Sequence, residues 1–174
     1  MKPCGGDDEV SLTEDIACLK KQEEVLRFSK FDEADAWSLG QAMHAAATSR
    51  KQTFVIDIQI AGRTLFYSAL PGTAPDHQEW VKRKTNAVMR WHKSSYRLGR
   101  ELAQSGKSLD ESQGVSPIAY ASHGGSFPIH IIGTGVVGTI TVSGMPQRDD
   151  HNFVVECVAK HLNINHASVV LDAE

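Results

Sequence analysis

No stretch of this chain approaches the roughly 18 consecutive apolar residues that a membrane-spanning helix needs, and the opening MKPCGGDDEV is polar and acidic. Cysteine is scarce. Cys4, Cys18 and Cys157 are odd in number and widely spaced, without CxxC or CxxH, so neither a disulfide framework nor a zinc knuckle is signalled. A soluble protein of a reducing compartment, the cytoplasm, is the expectation. Charge of one sign is also missing: 18 Lys and Arg against 21 Asp and Glu leave a net −3, which gives no general attraction for nucleic acid or an anionic membrane. GxSxG and GxxxxGKS are absent, and neither a serine hydrolase, a P-loop nor a classical dinucleotide-binding domain is expected.

What is there is an ordinary globular composition, 41% hydrophobic and 22% charged, in 174 residues, enough for one sizeable core. Residues 1–9 read as a loose lead and residues 10–174 as one domain, undivided by any repeat or linker. Ser11-Leu12-Thr13-Glu14 has capping-box spacing, which places a helix start there. Ile16, Leu19, Leu26 and Phe28 give that helix only a partial apolar stripe, so it should lie on the body of the molecule. Asp32 caps a second helix, better buried, through Trp37, Gly40, Met43, Ala46 and Ala47. TFVIDIQI and TLFYSAL, joined at Ala61-Gly62-Arg63, form a hairpin. Pro75 and Asp76 open a third helix, Ser94 or Ser95 caps a fourth, and Gly106 ends it. Residues 106–116 read as a surface loop. PIAYAS, FPIHIIGTG and VVGTITVSG are three β-rich runs, followed by a helix from about Asp150 through Leu162. The order predicts an α+β domain with five antiparallel strands and helices on its faces.

Several residues interrupt these patterns in ways that matter for chemistry. Gly124 and Gly125 in SHGGSFPI can direct adjacent N–H groups into one concavity, an anion nest beside His123, or can simply turn the chain. His151 follows Arg148-Asp149-Asp150 at the expected start of the last helix, where the positive end of the dipole keeps an imidazole neutral. Asp57 interrupts an apolar strand and must be paired or exposed; alternation groups it with Val55 and Gln59, opposite Ile56 and Ile58, so exposure on the outer face explains it. WVKRKTNAVMRWHKSSY interleaves Lys82, Arg83, Lys84, Arg90, His92 and Lys93 with two tryptophans. Arg83 and Arg90 share a helix face and can converge on one anion, or the face is merely solvated. His92, His123, His151 and Asp57 show no metal-ligand spacing, and no metal site is expected. His44, His77, His130, His161 and His166 lack any partner pattern and read as structural or surface residues.

YASHGGSFPIHIIGTGVVGTITVSGMPQRDDHNFVVECV resembles the second half of the haem-degrading-domain family, the GlcG-like and HbpS-like proteins. FVIDIQIAGRTLFYSALPGT and DHQEWVKRKTNAVMRWHKSSY resemble a poorly characterised bacterial and fungal branch of it. The likeness runs over about residues 20–172. It implies a profilin-like fold, a five-stranded sheet with helices on both sides, assembly into a homo-oligomer larger than a dimer, and haem or another small ligand in some members. The leading expectation is therefore a cytoplasmic oligomer that binds a small anionic or planar ligand, haem being one possibility. Its pocket is expected from the HGGSFPI turn (His123, Gly124, Gly125, Ser126, Phe127) and the basic helix (Arg83, Arg90, His92). A cofactor-independent lyase or isomerase, with His123 or His151 as acid or base, is the alternative from another class. A protein-interaction hub is the third.

Overall fold

The computed structural model describes residues 7–110 and 114–171, with side chains from Leu12 onward. The first helix, α1 (Asp7–Val25), is already under way before Ser11, so the Ser11–Glu14 spacing does not mark its start, and residues 7–9 of the expected lead are helical. A hydroxyl three residues before a carboxylate is also an ordinary i, i+3 pair on a helix face, which is why the pattern misleads. Residues 1–6 lie outside the described residues. Then come α2 (Glu33–Ser49), β1 (Val55–Ile60), β2 (Arg63–Ala69), α3 (Pro75–Trp91), α4 (Ser95–Gln104), β3 (Ser126–Ile131), β4 (Gly135–Ser143) and α5 (Gln147–His161).

The local signals act as chemistry requires. Asp32 accepts from the Ala34 and Asp35 N–H groups while Asp35 accepts from Asp32 N–H, a reciprocal capping box at α2. Ala61 (φ 51°) and Gly62 (φ 76°) both sit in the left-handed region, as the tight turn between β1 and β2 demands. Ser94 caps α4 by accepting from Arg97 N–H.

The sheet has four antiparallel strands in the order β2-β1-β4-β3, not five. PIAYAS is turn and coil: the Arg83 guanidinium donates to Pro117 O, Asn86 Nδ2 to Ala119 O, and Ala121 N–H to Arg83 O, so its backbone groups are taken by α3 rather than by a strand. A single bridge, Phe28 beside Ile131, covers the free side of β3. GTGVVG, residues 133–138, has GxGxxG spacing that the sequence reading passed over, but it turns the β3–β4 hairpin and no helix follows, so it is not a nucleotide loop.

One face of the sheet is apolar. Ile56, Ile58, Phe127, Ile129, Ile140 and Val142 pack with Leu39 and Met43 of α2 and with Phe153, Val154 and Val158 of α5. Trp37 does not join them: it is 58% exposed, and α2 buries Ala36, Leu39, Gly40, Met43 and Ala47 instead. The opposite face, under α3, is polar. Thr85 of α3 meets Thr139 (3.4 Å) and Thr141 (3.3 Å), and Thr141 meets Ser126 (2.7 Å). Asp57 is opposite Thr141 in this layer and is 5% exposed, which overturns the expectation of an outer-face carboxylate. Its alternation was read correctly, but this second face is itself covered. Gln59 Nε2 donates to Asp57 at 2.7 Å, and burial still raises the carboxyl above its ordinary pKa.

α1 is held on the body largely by polar contacts. Arg148 reaches Asp15 through two nitrogens (2.8 and 3.0 Å) and the Tyr96 hydroxyl, and Arg97 pairs with Glu23 at 2.6 Å.

Candidate functional site

α5 begins at Gln147, three residues earlier than its acidic pair suggested, because Pro146 supplies the N-cap and cannot continue a helix backwards. Asp150 therefore lies inside the first turn and is 1% exposed. Lys84, on the sheet side of α3, is 3% exposed and meets Asp150 at 3.0 Å. The pair clasps helices from opposite faces around the end of β4. Lys84 Nζ also donates to Val142 O and Ser143 Oγ, each at 3.2 Å, while Asp150 accepts from Met145 N–H (3.1 Å) and Gly144 N–H (3.4 Å). Burial pulls the ammonium down and the carboxyl up from their ordinary pKa values. Each partner's charge and the surrounding donors and acceptors oppose that shift.

The two glycines of SHGGSFPI make room for this arrangement. A Cβ on Gly125 would collide with Val142 O and come within 2.8 Å of Lys84 Nζ and 3.1 Å of Asp150 Cβ, and its φ of +123° disfavours any side chain. A Cβ on Gly124 would collide with Gln147 O. The Gly124 N–H points to Gln147 Oε1 at 3.4 Å, so it faces a side chain of the same protein. Ser126 is buried, exchanging bonds with Ser95 and Thr141, and Phe127 is buried in the apolar core.

His123 lies at the mouth. A cavity of about 210 Å³ is lined by Trp80, Lys84, His123, Ser143, Met145, Gln147 and Asp150. His123 also lines a neighbouring recess of about 320 Å³ together with Arg83, Leu102, Leu109 and Tyr120. Its ring meets Trp80 edge-on at 5.0 Å, and neither ring nitrogen has a hydrogen-bond partner among the described residues. Burial, then Lys84 and Arg83, lower its pKa from the ordinary histidine value.

Of the remaining candidates, Arg83 stays beside His123 and Arg90, His92 and His151 do not. Arg83 stacks over Trp80 at 4.2 Å, whereas Arg90 lies against Trp91 and Tyr120 (5.3 and 5.7 Å), so the two guanidinium groups have different neighbours. His92 is the left-handed C-cap of α3 and faces a third recess. His151 is 1% exposed and belongs to neither cavity wall beside His123. Gln22 Nε2 donates to Val169 O at 2.6 Å, which leaves Gln22 Oε1 to accept from His151 Nε2–H at 2.8 Å. The ring is held neutral, its pKa pushed down to about 3 by burial and then by Arg148. Sequence reasoning did not single out Lys84, Asp150, Ser143 or Gln147. Their only signal was a lysine among surface-like lysines and an aspartate in an acidic pair.

A single α+β domain with a four-stranded antiparallel sheet, helices on both faces and a small cavity at one sheet end, above a buried ion pair, is the class so defined. The chain matches the family described as haem degrading protein HbpS-like over residues 31–159, and it belongs to that family. A UPF0303 protein of Acidobacterium capsulatum is 47% identical over 162 residues, 93% of this chain and 98% of that protein. Another from Serratia proteamaculans is 46% identical over 160 residues, 92% and 99% of the two chains. Among solved structures, the Ybr137w protein superposes with a TM-score of 0.81 at 26% identity, covering 89% of this chain and 94% of that one. A PduOC:haem complex gives 0.63 at 18% identity, covering 78% and 97%, a likeness of fold. No helix among the described residues is long and apolar enough to cross a membrane.

Proposed function

We propose that this chain is a homo-oligomeric small-molecule-binding protein whose ligand presents an anionic group to His123 in the cavity above the Lys84–Asp150 pair. The observation that carries this reading is His123 itself: it lines both recesses, its ring nitrogens have no hydrogen-bond partner among the described residues, and burial, then Lys84 and Arg83, disfavour its protonation, which an anion beside the ring would offset. Lys84 offers a ligand no free proton, because its protons are occupied by Val142, Ser143 and Asp150, and Asp150 offsets its charge. His123 has free ring nitrogens and makes the contact. At about 210 Å³ the cavity falls below the roughly 300–1,000 Å³ of sites for drug-sized ligands, which favours a small acid over a haem macrocycle. A haem would need the neighbouring recess as well, with Arg83 as a partner for its propionates.

The same lowered pKa favours a second reading, in which an unprotonated His123 acts as the base of a lyase or isomerase. Mass spectrometry of small molecules retained by the natively purified protein tests both. The expected result is an acidic compound retained by the wild type and lost from His123→Ala, whose melting temperature is unchanged; a retained compound converted on incubation favours the enzyme. If nothing acidic is retained and a panel of small carboxylates and phosphates leaves the melting temperature unmoved, the reading fails.

A further inference from the structure

A separate recess of about 220 Å³ opens where the end of α1, the α3–α4 corner and β3 meet, sharing no wall residue with the cavities at His123. Its charges do not balance. Glu23 is neutralised in place: it accepts from Arg97 Nη1 at 2.6 Å and from Ser94 N–H at 2.7 Å. Arg97 pairs in turn with Glu101, and Glu101 with Lys93, so these four charges cancel. What remains on the wall is Lys20 and Arg27 against the single carboxylate Glu24, together with the rings of His92 and His130. Among the described residues neither Lys20 nor Arg27 has a carboxylate partner. Arg27 is nevertheless anchored, since its Nε donates to Glu23 O at 3.1 Å and leaves both terminal nitrogens of the fork available. His92 is held at φ 53°, a left-handed position that a helix end ordinarily gives to glycine or asparagine. Burial, then Arg27 and His92, lower the pKa of His130, so positive potential at this spot is unrelieved.

We propose that this recess is a phosphate site, taking a phosphate dianion, free or as the head of a small phosphomonoester, with Arg27 as its anchor and His92 and His130 as donors. A guanidinium fork, an ammonium and two imidazoles supply several convergent N–H donors, more than a single carboxylate uses, and the volume admits little beyond the anion. Binding is coupled to protons. The anion offsets the field of Arg27 and Lys20 at His130 and so raises its pKa, while below about pH 6 the dianion itself takes a proton and binding weakens again; Glu24 opposes this only weakly, being exposed.

Nuclear magnetic resonance of the histidine ring protons, titrated with pH in inorganic phosphate, in methyl phosphate and in chloride of matched ionic strength, tests the proposal. The expected result is a saturable rise in the pKa of His130, with a saturable change in the His92 ring-proton shifts, with phosphate or methyl phosphate but not with chloride. Preference for methyl phosphate identifies a phosphomonoester head, preference for phosphate the free ion. Arg27→Gln, an exposed substitution, should weaken binding at least about tenfold, whereas His123→Ala should leave it unchanged, which separates this site from the cavity above Lys84. Equal shifts in chloride, no saturation, or an unaltered response in Arg27→Gln would overturn it.

Discussion

His151 shows how burial turns an ionisable residue into a pH-dependent structural element. Its ring stays neutral in the folded protein down to about pH 3, while in the unfolded chain it takes a proton near the ordinary value of 6.5. Below that value the unfolded state binds more protons, so the contribution of His151 is complete above about pH 6.5 and declines as pH falls, by up to about 1.4 kcal/mol per unit. Urea unfolding from pH 7 to pH 4 should show His151→Phe losing stability less steeply than the wild type; parallel curves would contradict the assignment. At the glycines the expectation is steric. Gly125→Ala should destabilise by about 1–3 kcal/mol from crowding alone, with backbone strain added, whereas His123→Ala should cost under about 0.5 kcal/mol. Thermal and urea melts of the two variants check this contrast.

At the scale of elements, the signals that were legible are those whose chemistry is local. Asp32 and Ser94 satisfy backbone N–H groups within three residues, Pro75 presets a helical φ, and Ala61 and Gly62 take the left-handed angles of their turn; each was placed from sequence, Ser94 with Ser95 as its alternative. Asp32→Ala should accordingly cost about 1 kcal/mol, measured by urea unfolding, with the fold retained by circular dichroism. PIAYAS was misread because β propensity says nothing about where carbonyls go, and here Arg83 and Asn86 take them. The site was legible only in part. SHGGSFPI lies at the same end of the sheet as the cavity, but Lys84 and Asp150 are 66 residues apart. A buried ion pair between distant segments leaves no periodic trace, and each partner in isolation resembles a solvated surface charge.

For the whole molecule, family membership is settled by the match over residues 31–159, while assembly remains to be measured. β2 is the terminal strand of the sheet, with Tyr67 43% exposed on it, and an uncovered strand edge of this kind is a natural contact surface. Light scattering coupled to gel filtration should give a species larger than a dimer; a monodisperse monomer at micromolar concentration would remove the oligomer from the proposed function. The Phe28 bridge bears on how such a particle is built. Phe28 donates to His130 O and accepts from Ile132 N–H, so the same chain closes the end of the outer side of β3, and among the described residues β2 is the terminus without such a bridge. A sheet with one closed terminus has a valence of one: two copies joined edge to edge through β2 form a two-fold pair whose sheet cannot be extended. If β2 edges pair in this way, a larger particle needs a second contact through helix faces or loops, and substitutions at that second contact should leave two-fold pairs in light scattering.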